Sequence, residues 1–375
     1  MRQLMVIMGS GETSPTMVNV HKDVACGPAV LLDTPYAFQE NVADISARAC
    51  AYFARSVGLE VEVASGLADL RSARWVFSGP GSPTYALRGW SGAVASVLRD
   101  LVRGREATLV FASAAACTLG RFAVPVYEIY KVGADPHWVG GLDLLGEYGL
   151  DVVVIPHYDN AEGGTHDTRY SYLGERRLRG MERELPPGTA VLGVDEHTAV
   201  LIGERVVEVR GRGCMTVRRQ GVSTVVPAGV VMELGELRGL LRGEGGRESA
   251  PGRPVVAESL PLKDVVVSAR RRFEGGDSRE RVEAILAVEA AVAEWGADTE
   301  EDEGGEWARA IMRTMVVQLG RDGDGRVLEA VLPGLVEVRQ ELRRRGLYGL
   351  ADQVRAALAA GGVELRDTPD GTVWA

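Results

Sequence analysis

The absences in this chain restrict its chemistry first. Its four cysteines, Cys26, Cys50, Cys117 and Cys214, are scattered, with no Cys-x-x-Cys pair and no histidine at zinc spacing. Neither a sequence-local zinc site nor a disulfide framework is expected, and reduced thiols in a cytoplasm are. No apolar run approaches the ~20 residues of a membrane span. The N-terminal run Leu4 to Met8 is too short for a signal peptide and gives way at once to Gly9-Ser10-Gly11-Glu12. No membrane partner is expected. Positive charge is also in deficit: 52 Asp and Glu against 42 Lys and Arg leave a net −10. That balance repels phosphate backbones and points to small or cationic partners. The loop Gly9 to Thr13 lacks the lysine of a phosphate-binding loop and the third glycine of a dinucleotide fingerprint. It reads as a tight β–α turn bordering a site, so neither a nucleotide cofactor nor a metal is expected. No internal repeat or coiled-coil heptad is evident.

What remains is an ordinary globular composition, 46% hydrophobic and 25% charged over 375 residues, enough for two or three cores. Short apolar runs at Leu4–Met8, Ala29–Leu32, Val61–Ala64, Trp75–Phe77, Leu109–Phe111 and Val152–Ile155 read as buried parallel strands. Stretches of helical period at Glu40–Val57, Ser91–Arg103 and Tyr172–Glu184 alternate with them. The pattern predicts an α/β domain with a doubly wound, mostly parallel sheet over residues 1–238. Ala199–Ile202, Val206–Val209 and Thr224–Val226, between Gly-rich turns, suit a closing antiparallel edge. Residues 239–262 have the Gly, Arg, Glu, Ser and Pro composition of a linker. Beyond them, 263–375 predict an all-α domain with helices near Ser278–Trp295, Glu306–Leu319, Val327–Arg345 and Leu350–Ala360. The acidic run Asp298 to Gly305 reads as a solvated loop between helices.

The run Ala112-Ser113-Ala114-Ala115-Ala116-Cys117 directly follows an apolar strand and leads into a helix start. A strand ending in small-Ser-small and turning into a helix is a nucleophile elbow, which lifts the serine above a sheet edge and leaves the next N–H for an oxyanion. Ser113 is the candidate nucleophile, against a plain buried turn. A serine needs a base. His157 follows Val152–Ile155 and Pro156, at the carboxyl end of a strand, where open α/β sheets place their sites. Ser113 and His157 are expected on one edge of one sheet. Cys117, one turn beyond the serine, reads as a packed thiol.

Four motifs carry a resemblance. Pro156-His157-Tyr158-Asp159-Asn160-Ala161, then Gly164-Thr165-His166-Asp167-Thr168-Arg169, is similar to the histidine region of the dipeptidase E and cyanophycinase family of serine peptidases, and the elbow resembles that family's elbow. Phe77-Ser78-Gly79-Pro80-Gly81-Ser82 resembles its Gly-Gly loop, and Gly193-Val194-Asp195-Glu196-His197-Thr198-Ala199 its Asp-Glu-x-Thr-Ala strand start. The resemblance implies a class I glutamine amidotransferase-like fold and a Ser-His-acid mechanism. Ser113 would attack, His157 would act as base and then acid, and Ala114 with Gly79 or Gly81 would hold the oxyanion. Pro80 has no N–H, which favours Gly81. Glu128 or Asp135 would complete the triad, Glu128 favoured by spacing. Arg169 would grip a substrate carboxylate, with Asn160, His166 and Asp167 as further binding residues. Arg176 and Arg177 belong to a solvated helix face. Ala115, where the family has glycine, and Phe111 depart from the pattern and leave open a retained fold without chemistry.

The C-terminal end carries a different resemblance. Val338 to Arg345, Leu350 to Leu358 and Gly362 to Trp374, ending Asp367-Thr368-Pro369-Asp370-Gly371-Thr372-Val373-Trp374, resemble the C-terminal helical end of cysteinyl-tRNA synthetases. The chain has no synthetase nucleotide signature, so the resemblance implies tRNA as a candidate partner and not aminoacylation. Residues 270–375 hold 21 acids against 15 arginines, an unfavourable balance for tracking phosphates. Arg270 to Arg272 and Arg343 to Arg345 are the local basic patches. The leading expectation is a serine hydrolase acting on a small peptide or amino-acid conjugate. The alternative is an inactive hydrolase fold that binds tRNA or protein, and a homodimer is left open.

Overall fold

The computed structural model describes residues 4–162, 167–244, 262–295, 304–321, 325–360, 362–368 and 371–374. The chain divides into two compact units, Met1–Ser259 and Leu260–Ala375. The first unit opens with β1 (Met5–Met8), α1 (Val18–Val24), β2 (Ala29–Leu31), α2 (Val42–Tyr52), β3 (Glu62–Val63), α3 (Leu67–Ser72) and β4 (Trp75–Ser78). Helices α4 (Pro83–Gly89) and α5 (Ala93–Gly104) lead to β5 (Thr108–Ala112) and the short α6 (Ser113–Cys117). Then come β6 (Phe122–Ala123), α7 (Val126–Tyr130), β7 (Val139–Gly140), β8 (Val152–Ile155) and α8 (Gly174–Glu182). The unit closes with β9 (Ala190–Val194), β10 (Thr198–Ile202), β11 (Val206–Gly211), β12 (Cys214–Arg219), β13 (Val222–Pro227), β14 (Val231–Glu233) and α9 (Leu234–Arg242).

The βα alternation expected from the apolar runs is present, but it builds two sheets. One runs β14-β11-β10-β1-β5-β4-β2-β3 and the other β13-β12-β9-β8-β6-β7. The elbow strand β5 lies in the first, parallel to β1 and β4; β8, which leads to His157, lies in the second, parallel to β6 and β9. The expectation that both residues share one sheet is therefore corrected. After α6 the chain leaves the first sheet at Gly120, whose added Cβ would stand 2.4 Å from the Val152 carbonyl oxygen. Arg121 N then donates to Val152 O at 2.9 Å, which starts the second sheet. Strands β1, β4, β5 and β8 are buried along their whole length, as all-apolar parallel strands covered on both faces must be. The antiparallel closure expected near residues 199–226 occurs in both sheets, as β10-β11-β14 and as β9-β12-β13.

The boundary expected at 238/239 falls inside α9. Leu234, Leu237 and Leu241 form a buried stripe at helical spacing, which outweighs the glycines that give the stretch a linker composition. The rest of the expected linker, 245–261, lies outside the described residues. The second unit comprises α10 (Leu262–Gly275), α11 (Ser278–Trp295), α12 (Gly304–Arg321), α13 (Gly325–Arg344) and α14 (Tyr348–Ala360), followed by β15 (Leu365–Thr368) and β16 (Gly371–Trp374). Four helices match the periodic stretches; α10 is an addition, set by Leu262, Val266, Ala269 and Phe273 on one buried face. The hairpin departs from the all-α expectation. Its anchor is Arg339 of α13, fully buried, which forks onto Asp367 at 2.6 and 2.9 Å and donates to Thr372 Oγ1 at 3.0 Å. Of the acidic run, Gly304 and Gly305 begin α12 and Asp298 to Glu303 lie outside the described residues. Among the described residues, no helix is long and apolar enough to cross a membrane.

Candidate active site

The junction of β5 and α6 turns on a single residue. Ala112 is extended (φ −121°, ψ 155°), and Ser113 switches to the left-handed region at φ 46° before the helix begins. A non-glycine residue held there costs ~1–2 kcal/mol. The conformation presents the hydroxyl at the sheet's carboxyl edge, where Ser113 Oγ meets His157 Nε2 at 2.9 Å. Ala115 and Phe111 fit this turn. Ala115 is fully buried and its N–H reaches Gly79 O at 3.2 Å, and Phe111 packs against Trp90 with ring centroids 5.5 Å apart. Cys117 is buried, and burial pushes its thiol up to about 12, the state of a packed neutral thiol.

His157 is also left-handed, at φ 46°. A second strained segment holds it there: Tyr170, Ser171 and Tyr172 have φ of 64°, 51° and 63°. Ser171 Oγ donates to Pro156 O at 2.8 Å and Ser171 N to His157 O at 3.3 Å. On the other side of the ring, His157 Nδ1 meets Glu196 Oε1 at 2.9 Å. A neutral imidazole satisfies both contacts by carrying its proton on Nδ1 and offering Nε2 as acceptor. Burial alone would raise the Glu196 carboxyl, but the hydrogen bond and charge of His157, with the Asn160 amide, hold it below the usual value. Asn160 Nδ2 donates to the same oxygen at 3.0 Å, and Glu196 N donates to Asp159 Oδ1 at 2.8 Å.

The acid on the histidine is therefore Glu196, and this corrects the expectation of Glu128 or Asp135. Strands β8 and β9 are parallel neighbours with Ile155 opposite Gly193, so residues just past both ends, His157 and Glu196, share one edge. Glu196 stood in a recognised motif, and its place after the neighbouring strand was the signal. Glu128, on α7, accepts from Thr84 Oγ1 at 2.5 Å instead. Asp135 lies in an exposed loop, where its carbonyl oxygen faces His137 Nδ1 at 2.8 Å.

The oxyanion candidates adjoin the elbow. Gly79 O receives the Ala115 N–H, and Ala114 stands in the first turn of α6, where N–H groups have no intrahelical acceptor. Gly81 has φ 131° and lies so close to Pro35 that an added Cβ would be 2.2 Å from its carbonyl oxygen. Only glycine fits there. The substrate-binding expectations fare differently. Asn160 is buried and orients Glu196. Arg169 forks onto Asp167 at 2.8 and 2.9 Å and lies 5.0 Å from the Tyr170 ring. Asp167 also accepts from Glu175 N at 2.9 Å, capping α8. This exposed pair braces the loop, and the fork expected to grip a substrate carboxylate is engaged by Asp167. His166 lies outside the described residues. Arg176 is exposed and Arg177 half-buried.

No protein-family model matches the chain. Among curated proteins it is similar to the cysteine–tRNA ligase of Thermococcus onnurineus (strain NA1), 31% identical over 133 residues, covering 31% of this chain and 27% of that protein. The same enzyme of Thermococcus gammatolerans is 48% identical over 46 residues, 12% of this chain and 10% of the relative. The chain thus spans about a quarter or less of the length of these relatives. Among solved structures, a peptidase from an acI-B1 Actinobacterium superposes with a TM-score of 0.48 at 16% identity, covering 62% of this chain and 97% of that one. A putative peptidase E protein from Listeria monocytogenes EGD-e gives 0.40 at 16% identity, covering 56% and 99%. Both structural likenesses are too remote to assign an activity.

Proposed function

We propose that the first unit is a serine hydrolase that cleaves an amide bond in a small peptide or amino-acid conjugate through an acyl-enzyme. The observation that carries this reading is the line Ser113 Oγ, His157 Nε2, His157 Nδ1, Glu196 Oε1, with two contacts of 2.9 Å and a strained backbone at both serine and histidine. In the first step Ser113 Oγ bonds to the carbonyl carbon while its proton passes to His157 Nε2. Glu196, held ionised by its hydrogen bonds, stabilises the imidazolium. The oxyanion takes the Ala114 N–H and one from the Gly79–Gly81 loop, a donor type worth ~10²–10³ in rate. The C–N bond then breaks as His157 returns the proton to the leaving amine. Water, deprotonated by His157, attacks the ester and frees Ser113. To test this, the protein is incubated with a panel of dipeptides and amino-acid amides beside Ser113→Ala. Amine release that the variant lacks is expected; equal release by both would sink the reading.

A second reading concerns the other unit. The likeness to cysteine–tRNA ligases supports tRNA contact there, whereas the excess of acids opposes it. A tRNA gel shift that weakens steeply between 50 and 200 mM salt, as phosphate contacts require, is the expected sign. No shift at the lower salt would remove it.

A further inference from the structure

His157 is held by more strain than its own. Tyr170, Ser171 and Tyr172 are three consecutive non-glycine residues in the left-handed region, a run that persists only where its surroundings over-determine it. The main chain of this segment lies on the histidine: Tyr170 N donates to Tyr158 O at 3.1 Å and Ser171 N to His157 O at 3.3 Å. Tyr158 N in turn donates to Val194 O at 3.1 Å, on the strand that leads to Glu196. The Tyr158 ring covers Gly193, where an added Cβ would stand 2.3 Å from it, and its centroid lies 4.5 Å from that of Tyr170. The two tyrosines therefore join the strained segment to both sides of the contact between His157 and Glu196.

What fixes Tyr170 comes from β12. Arg218, 3% exposed, places its guanidinium carbon 5.4 Å from the centroid of the Tyr170 ring. Nη1 and Nη2 donate to the two carboxylate oxygens of Glu175 at 2.8 and 2.9 Å, and Nε donates to Glu182 Oε2 at 2.9 Å. Glu182 is buried as well, and its other oxygen accepts from Gly221 N at 3.3 Å. Glu175 and Glu182 stand two turns apart on one face of α8, the helix that begins two residues after Tyr172. One side chain thus ties both ends of that helix. The fork fixes the plane of the guanidinium as an ammonium could not. Arg169 also stands over Tyr170, but its pair with Asp167 is exposed and correspondingly weakened by solvent. Relaxation of the segment out of the left-handed region would withdraw the Ser171 N–H from His157 O, and two contacts of 2.9 Å leave the imidazole little room to follow.

We propose that Arg218 is a positioning residue for the reaction: by locking Tyr170 and α8 it keeps the left-handed segment on His157 and the imidazole in line between Ser113 and Glu196. This role presupposes the hydrolase reading of the site. It is tested in the full chain with a fluorophosphonate, by measuring the rate constant at saturating reagent and the final labelled fraction at Ser113. Arg218→Lys keeps the charge and loses the fork; Tyr170→Leu keeps the ion pairs and loses the ring. Each is expected to slow labelling at least tenfold while the labelled fraction still reaches that of the unmodified protein. The double variant is expected to be no slower than the slower single one, because both act through one contact. The far-downfield proton signal of His157 Nδ1, identified by its loss in His157→Ala, is expected to vanish in both. A residue that only stabilises the fold would lower the labelled fraction and the melting temperature, and leave the rate and the proton signal as they are. Labelling by either folded variant within twofold of the parent rate, or slowing that multiplies in the double variant, overturns the assignment while the hydrolase reading stands. If Arg218→Lys fails to fold, the Tyr170→Leu rate decides alone. No labelling of Ser113 in the unmodified protein overturns both.

Discussion

In the first unit, Glu196 receives hydrogen bonds from His157 and Asn160, and the line runs on from it to Ser113, 8% exposed. In the second unit, Asp367 receives two from Arg339, one from Thr372 and one from Arg343, with the Arg339 guanidinium sealed from solvent. Both are carboxylates pulled below their ordinary range by hydrogen-bonded partners, Asp367 chiefly by Arg339. They differ in how they end. The Glu196 line finishes on a hydroxyl in a strained turn, and its histidine is left-handed as well. The Asp367 network ends on the guanidinium groups of Arg339 and Arg343 and ties β15 and β16 to α13. Strain concentrated along an open line is the arrangement of reacting groups, and a buried arginine tied to a carboxylate at the surface is the arrangement of an anchor. The Asp-Thr and Gly-Thr steps that make the C-terminal end resemble synthetases thus serve the hairpin directly.

If that contrast is right, the largest effect belongs to Ser113→Ala, which should lower turnover by roughly 10⁴–10⁶ with little loss of stability. Glu196→Gln should cost about 10⁴ in kcat, by analogy with neutralising the acid of a triad, and leave the melting temperature within a few degrees. Glu128→Gln should retain most of kcat; this separates the two carboxylates in one assay. Asp367→Ala reverses the pattern: it leaves the buried Arg339 guanidinium without its carboxylate, at ~1–3 kcal/mol because Asp367 itself is partly screened by solvent. Hydrogen exchange read separately over the two units should show opening confined to residues 262–374, with Ser113 labelling intact.

The smallest effect is a difference in acid sensitivity. Burial lowers His21 to about 4, and burial with the charge of Arg212 lowers His197 to about 4. Above pH 6.5 neither ring is charged in either state. Between 6.5 and 4 the unfolded chain binds protons that the folded chain refuses, so stability of the first unit falls as pH falls. Asp195, raised to about 6 by burial and the charge of Asp159, offsets part of this by taking up its proton first in the folded state. A net loss of about 1–3 kcal/mol between pH 7 and 5 follows. Asp367 is depressed, so its contribution persists until the pH falls below the ordinary Asp value of 3.8. Unit-resolved exchange at pH 7 and 5 should show loosening in the first unit alone; equal loosening in both would remove the distinction.

Local signals were strong enough to read five of the six expected buried strands, the elbow and four C-terminal helices, because all-apolar runs and helical period are properties of short windows; Val61–Ala64 instead forms the exposed edge strand β3. Ser113 and His157 were legible for the same reason: each directly follows such a run. What escaped depends on pairing between distant segments. The split into two sheets follows from Arg121 meeting Val152, which no window contains. Glu196 became the acid only because β9 lies beside β8, and spacing along the chain pointed to Glu128 instead. Arg169 resembled a binding residue until Asp167, two positions away, proved to occupy its fork. The hairpin was hidden by its brevity: two four-residue strands whose anchor lies on a helix.

The most direct test of the central claim is site-mapped labelling of the intact chain with a fluorophosphonate, followed by peptide mass spectrometry. The account requires a single adduct on Ser113, absent in Ser113→Ala and slowed at least a hundredfold in His157→Ala. No adduct, or an adduct on another residue at the same rate in both variants, would contradict it.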